Sequence, residues 1–536
     1  MTQNILRKLM LIAVLLTSSH AFAYDIEVDG IYYNISGSEA TVTYKDTNYN
    51  SYYGEIIIPK TINHNNLKYS VTRIDNQTFL GCTDLTSITI PNSVTNIGYE
   101  AFCGCERITS MTIPNSINYI GSRAFDNCYS LAKLIIEDGT NNLELMYNYY
   151  NTRYENGEGL FYDCPIKTLY VGRNLTYSTN YTYGYSPFYK IEELTTVTIG
   201  TSVDRIGYNA FMGCTKLSSI IIPNSVTSIG EYAFNGCSSL SHISIPDLVN
   251  CIERYTFAYC TSLTTIVVPE NLKYISNKAF ANCTNLTSVS IPNSVTTIYE
   301  YAFENCIGLT SLTIGNSVTE IERNAFRNCN NLKKIEVSQL NSTYDSRNNC
   351  NAVIETTKNT LIKGCKSTII PNTVTSIGVS AFECCTELTS ILIPNSVATI
   401  GSYAFGYCTD LTEVICENAS PATANYSTFY NVPTTATLYV PVGSKSAYAN
   451  ATGWSDFTNI IEDDVKTGVE STLADNSVNV SVENGNIVVN GTENVNIEVY
   501  SVNGQCVYNG NATTISVSAK GMYIVKVGNI IHKVIL

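Results

Sequence analysis

The sequence predicts a mainly β protein: a solenoid of 23-residue coils with short helical turns, followed by a small C-terminal β-sandwich. Three observations predict it. A Phe recurs at a fixed interval along most of the chain. The regular intervals carry one period-2 apolar pair, most often closed by a Pro turn. Near the C-terminus the repeat gives way to plain alternation of apolar and polar residues.

The recurring Phe falls at Phe79, Phe102 and Phe125, then at Phe161 and Phe188. It continues through Phe211, Phe234, Phe257, Phe280, Phe303 and Phe326, and ends with Phe382, Phe405 and Phe429. One unit reads Phe211, Cys214, Leu217, Ile220, Ile222, Pro223, Val226, Ile229, and the same offsets give Phe79, Cys82, Leu85, Ile88, Ile90, Pro91, Val94, Ile97. Ile220 and Ile222 mark a short strand with one buried face. Pro-Asn-Ser ends it, and Val226 and Ile229 bring the chain back inward. The Ala-Phe step is placed on a short helical turn, with Phe filling the corner. A unit this short cannot bury its own apolar face. Stacked coils do so, each strand pairing with its neighbours.

This text resembles the BspA-like leucine-rich repeat family of bacterial surface proteins, over roughly Gly54 to Ile461. The stretches Leu169 to Leu175 and Tyr344 to Arg347 resemble variant units of that family. The resemblance implies a leucine-rich-repeat solenoid and adhesion to host matrix proteins, host cells or other bacteria.

Along the chain, Arg7 and Lys8 precede the apolar run Leu9 to Leu16, and Ala21-Phe22-Ala23 supplies small residues for a signal peptidase. Residues 1–23 therefore read as a signal peptide, too short in its apolar part to span a bilayer. No later run is long enough, so an integral membrane protein is not expected. Residues 24–68 read as an N-terminal β cap. The solenoid is expected over 69–461, irregular near 126–190 and 338–370, with a C-terminal cap near 412–461. That cap holds a strand at Thr437 to Pro441, a short helix at 444–450, and Trp454 and Phe457 to plug the last coil. Residues 462–476 read as a linker and 477–536 as the sandwich. Its strands run through Val478, Val480 and Val482, through Val495, Ile497 and Val499, and from Gly521 to Val527. The segments Val499-Tyr500-Ser501-Val502-Asn503-Gly504-Gln505 and Gly521-Met522-Tyr523-Ile524-Val525-Lys526 resemble a type IX secretion sorting domain. That resemblance implies passage across an outer membrane; a plain β domain is the alternative.

The chain has 19 Cys. Cys82, Cys105, Cys128, Cys164, Cys214, Cys237, Cys260, Cys283, Cys306, Cys329, Cys385 and Cys408 each follow the repeat Phe by three residues. A residue at a fixed offset stacks as an internal ladder, where free Cys behaves as a small hydrophobe. Buried, unpaired thiols are expected there in spite of the oxidising compartment. Cys350 and Cys365 differ. They flank Thr356 to Asn359 symmetrically, on a hairpin of Ala352–Glu355 and Thr360–Lys363. A disulfide and two free thiols both fit that spacing.

The balance of 31 basic and 45 acidic residues gives a net charge of −14, without a basic block, which excludes nucleic acid as the expected partner. His64, His242 and His532 are far apart in sequence, so no His-based triad is expected. No catalytic, cofactor-binding or metal-ligating set stands out. Asp345 and Arg347 read as an ion pair holding the irregular unit. Tyr147, Tyr149, Tyr150, Tyr154, Tyr177, Tyr181, Tyr183 and Tyr185 cluster where the period breaks. They read either as a binding surface or as decoration of exposed strands. The function expected is that of a secreted or cell-surface repeat protein, non-enzymatic, mediating protein–protein or cell adhesion. Its expected partners are extracellular proteins, such as host matrix or cell-surface proteins, or glycans. A structural scaffold without a ligand and a glycan-binding accessory protein are the alternatives. Oligomeric state is left open.

Overall fold

The computed structural model describes residues 23–46, 49–146, 159–161, 163–177, 186–467, 479–483, 485–490, 496–502, 504–517, 521–527 and 530–535. The expected signal peptide therefore lies almost wholly outside the described residues. The chain divides into two units, residues 1–309 with 314–326, and residues 310–313 with 327–536.

In the first unit each regular coil contributes two strands. The apolar pair lies on the longer one. Strands Ser110–Ile113, Lys133–Ile136, Thr168–Val171, Thr196–Ile199 and Ser219–Ile221 form one parallel sheet. Their register is in step, with Met111, Leu134, Leu169, Val197 and Ile220 as direct neighbours. The returning Val-x-x-Ile segment is itself a strand. Asn96–Ile97, Tyr119–Ile120, Leu143–Leu145 and Leu175–Tyr177 extend a second sheet from its strand Leu67–Ile74, beyond which lie Glu39–Thr43, Ile31–Ser36 and Ile26–Val28. The sequence marks this return only as an apolar anchor. Its backbone polar groups need partners, and the adjacent coil supplies them.

The Ala-Phe step is a tight turn rather than the expected helical one. Around Phe257, Tyr255 and Tyr259 take φ of 55° and 61°. Such left-handed residues cost roughly 1–2 kcal/mol each. The turn aims alternate N–H groups along the stack: Tyr255 donates to Asn277 O at 3.2 Å, Phe257 to Ala279 O at 2.8 Å and Tyr259 to Ala281 O at 2.8 Å. A helix would use those donors within its own coil.

Inside the turns the Phe rings stack. From Phe79 to Phe326, neighbouring rings have centroids 5.0–5.9 Å apart. Across the long interval between Phe125 and Phe161 the stack is kept, with the two rings 5.0 Å apart. Tyr52 plugs the N-terminal end, its ring 4.7 Å from that of Phe79 and its hydroxyl donating to Thr43 O.

The Cys ladder is buried throughout, and none of its thiols is in a disulfide. Its thiols have a task beyond filling space. Cys260 Sγ donates to Phe234 O of the preceding coil at 3.2 Å, and Cys237, Cys283 and Cys306 repeat this contact at 3.2 Å with Phe211, Phe257 and Phe280. Phe234 O also accepts Cys237 N–H at 3.1 Å. The thiol thus satisfies the second lone pair of a buried carbonyl. Burial pushes the Cys214 and Cys260 thiols up to about 12.

The second unit continues with strands Ser390–Ile393, Glu413–Cys416, Thr437–Val440 and Asn459–Glu462 in a parallel sheet. Rings of Phe382, Phe405 and Phe429 stack at 5.1 and 5.3 Å. Trp454 and Phe457 end the stack, each 5.0 Å from Phe429, and Trp454 Nε1 donates to Ala422 O at 2.8 Å. Tyr448, on the helix Lys445–Ala449, completes the plug. A second helix, Asp464–Thr467, stands where the linker was expected to begin, because Lys466 and Thr467 bury against the last coils.

The C-terminal region forms two antiparallel sheets. One holds Asn479–Glu483, Asn486–Asn490 and Thr514–Ser516, and the other Cys506–Gly510, Ile497–Ser501, Met522–Val527 and Ile530–Ile535. Ile487, Val489, Ile497, Val499, Val525 and Val527 are among the residues of their shared core.

Two outcomes follow from this packing. Alkylation of the native protein should label the exposed Cys506 first, while the ladder thiols react only on unfolding; peptide mapping of labelled sites reads this. Phe257→Ala should cost about 3–5 kcal/mol locally, seen by hydrogen exchange as faster opening of its own and adjoining coils.

Candidate recognition surface

A repeat protein displays a ligand-facing surface only where residues are not used between coils. Much of the repeated polarity is so used. Ser225 Oγ donates to Val203 O at 2.7 Å, and Ser116, Ser294 and Ser396 do the same at 2.7 Å to Val94, Leu272 and Val374. Thr264 and Thr287 hydroxyls donate at 3.2 Å to Ser241 O and Thr264 O. The constant Pro-Asn-Ser-Val and Leu-Thr-Ser text is therefore explained by the stack itself.

What remains is the outward side of the longer strands. In the first unit one row runs Thr112, Ile135, Tyr170, Thr198, Ile221, and it is in register throughout. Farther on, Ser244 and Val267 occupy the same strand position as direct neighbours. Ile221 and Val267 are 60% and 64% exposed. Tyr170 donates its hydroxyl to both Asp138 carboxylate oxygens, at 2.8 and 2.9 Å. That bond holds the phenol proton on, raising it above its ordinary value. The row is a mixture of small hydroxyls and bare aliphatics.

On the turn side, Tyr208, Tyr232 and Tyr255 form a row, with Tyr232 and Tyr255 stacked at 4.7 Å. Arg254 lies 5.3 Å from the Tyr255 ring centroid, and Lys278 lies 5.7 Å from Tyr255 and 5.1 Å from Tyr301. These are cation–π distances. Sequence reasoning missed this row. Its signal was a Tyr two residues before the repeat Phe, at Tyr232, Tyr255 and Tyr301.

Of the sequence-derived Tyr cluster, Tyr147, Tyr149, Tyr150, Tyr154, Tyr181, Tyr183 and Tyr185 lie outside the described residues. Tyr177 ends the strand Leu175–Tyr177, and its hydroxyl donates to Tyr208 O at 3.0 Å. Its ring covers Gly207, where a Cβ would stand 2.3 Å from the Tyr177 oxygen. Tyr177 is thus engaged between coils.

The model of the BspA-type leucine-rich repeat region matches in 6 copies, over residues 58–187, 184–307, 250–361 and 353–458. This chain belongs to that family. No curated protein matches it. Among solved structures, a leucine-rich repeat protein from Bacteroides ovatus is 23% identical at a TM-score of 0.50, covering 82% of this chain and 100% of that one. A leucine-rich cell surface protein from Faecalibacterium prausnitzii is 20% identical (TM-score 0.31, 82% and 94% covered). The pneumococcal vaccine antigen PcpA is 16% identical (TM-score 0.30, 82% and 98% covered).

Two irregular units of this BspA-type chain carry an engaged guanidinium, one buried and one half-buried. Arg173 is fully buried, donating at 2.8 Å to the carbonyls of Asn115, Ile117 and Pro114. Its guanidinium gathers the turn carbonyls of an earlier coil, and burial lowers its affinity for its proton. In the second unit Arg347 grips Asp345 through Nε and Nη2, with Nη1 donating to Asn359 Oδ1 at 2.8 Å. Thr356 donates to the same carboxylate at 2.9 Å. Burial opposes ionisation of Asp345, but the Arg347 guanidinium, the Arg347 N–H and the Thr356 hydroxyl outweigh it and hold the carboxyl below its ordinary value.

The disulfide weighed for Cys350 and Cys365 is not formed; both are free thiols. The hairpin pairs Ile354 with Leu361 and Glu355 with Thr360, then shifts at a bulge to pair Val353 with Lys363. The two thiols turn to different carbonyls, Cys365 Sγ lying 3.5 Å from Asn351 O and Cys350 Sγ 3.9 Å from Ala352 O. A polar groove of about 630 Å³ opens beside this unit, lined by Lys334, Glu336, Ser338, Gln339, Asn349 and Asn351 among others. Among the described residues no group of three His, Cys, Asp or Glu side chains is placed to hold a metal ion. No described helix is long and apolar enough to cross a membrane.

The Asp345 pair carries a pH signature. A depressed folded pKa stabilises above the ordinary Asp value of about 3.9, and the gain is lost as pH falls through the lower folded value. Arg347→Met should cost about 1–3 kcal/mol at neutral pH and flatten this acid dependence. Hydrogen exchange of the hairpin amides against pH checks both.

Proposed function

We propose that this BspA-type protein is exported and displayed at a bacterial surface, where it binds an extracellular protein through the outward strand face of its first unit. Family membership supports the coarser statement, a protein-binding or surface-repeat role. One observation carries the finer one. The inner positions of the strands are apolar throughout and more covered than the outward row, which changes from coil to coil and leaves Ile221 and Val267 bare. Exposed aliphatics among small hydroxyls suit a large partner that desolvates the apolar positions and takes hydrogen bonds at the rim. The signal-peptide text at residues 1–23 and the sorting-like text of the last module support export. Their role in this chain is part of the proposal. We assign no reaction to the protein.

A second reading is favoured by the Tyr208, Tyr232 and Tyr255 row with Arg254 and Lys278, whose aromatic and cationic groups suit an acidic glycan.

Binding to a panel of matrix proteins, cell-surface proteins and acidic glycans separates these readings. Ile221→Asp and Val267→Asp should lower saturable protein binding at least about tenfold, about 1.4 kcal/mol, with hydrogen exchange of the core unchanged. A loss confined to Tyr232→Ala and Tyr255→Ala supports the glycan reading. The absence of saturable binding to any panel member overturns both and leaves the scaffold reading.

A further inference from the structure

In the second unit the outward strand row behaves differently. Leu392, Ile415 and Tyr439 are direct neighbours in it. Leu392 and Ile415 are only 9% and 2% exposed, although Ile221 and Val267 in the corresponding row of the first unit are bare. Tyr439 is covered from within: Lys466 Nζ lies 3.6 Å from its ring centroid and 2.9 Å from Glu413.

Leu392 lies beside the C-terminal sandwich, lining one cavity with Met522 and Lys533. On the strand Met522–Val527, Tyr523, Val525 and Val527 point into the sandwich core. Ile524, with Met522, is on the opposite face, which in an isolated sandwich would meet water. Ile524 is nevertheless only 7% exposed. Its cross-strand neighbour is Lys533, which pairs with Glu417 at the end of the strand Glu413–Cys416. Met522 and Lys533 line, with Ile369, Ser390 and Leu392, a cavity of about 50 Å³. Two apolar faces that strand alternation would leave bare thus bury one another.

We propose that the C-terminal sandwich is an intramolecular cover: the Met522, Ile524 and Lys533 face of its sheet docks on the outward Leu392 row of the last coils, latched by Lys533 and Glu417, and must lift before an outside partner meets that row. The contact is built for release. It leaves a cavity, and Ser390 Oγ is buried there without a protein partner. Both features weaken a contact that a permanent core would pack. The docking stands on the geometry alone; the use of the uncovered row by an outside partner rests on the recognition reading above.

The test is zero-length carbodiimide coupling of the full chain, with peptide mapping of the monomer fraction. The wild type should give a Lys533–Glu417 amide beside a Lys466–Glu413 amide, the latter serving as the internal reference. Leu392→Asp and Ile524→Asp, one on each face, should each lower the ratio of the first product to the second at least about tenfold, since a bare carboxylate resists burial against an apolar face. Absence of the Lys533–Glu417 product in wild type while the reference forms overturns the proposal, as does an unchanged ratio in both variants. No ligand enters the measurement, so failure of the recognition reading leaves its result intact.

Discussion

A 23-residue coil has one apolar edge and no second layer to bury it. Everything else in this protein depends on the contact between one coil and the next. The Phe stack is the centre of that contact. Each ring fills the corner of its own coil and presents both faces to neighbours, so the stack cannot stop without exposing an aromatic face. Tyr52 at one end of the first unit's stack, and Trp454, Phe457 and Tyr448 at the end of the second unit's, are the answer to that exposure.

The same contact dictates chemistry that reads as decoration. The thiols three residues after most of the repeat Phe act as short donors to a buried carbonyl. Ser and Thr at the strand entrance and in the Pro-Asn-Ser turn close further bonds between coils. A cysteine ladder can thus exist in a chain that reads as exported without disulfides, because burial disfavours the thiolate that would react. The constraint also decides where recognition can occur: only positions released from stacking are free to differ, and these lie on the outward strand row and beside the irregular units.

Irregular units are tolerated where a charged group replaces the missing regular contact. Arg173 gathers three turn carbonyls, and Arg347 ties Asp345 to Asn359 on the neighbouring hairpin. In both, a guanidinium provides several donors in a fixed fork, which a regular coil would have supplied from its backbone.

The repeat, its period, the inward Phe, Leu and Ile, the buried Cys and the Trp454 plug were legible in the text, because a fixed offset in a stacked chain means a fixed position in space. The helical reading of the Ala-Phe step failed because its donors serve the neighbouring coil, a demand that no local propensity contains. Spacing left a disulfide and two free thiols open at Cys350 and Cys365; the structure has the free thiols, on a hairpin whose one-residue register shift spacing does not reveal. Tyr177 illustrates the same limit: its composition suggests a surface, and its hydroxyl is held by Tyr208 of the next regular coil. By itself the sequence determined which residues face inward and how often the chain returns, since burial of a periodic edge has one solution. Only the tertiary structure decided which outward residues are bare. Ile221 and Leu392 share one position in the repeat, and they differ in exposure, with a distant segment of chain lying beside Leu392.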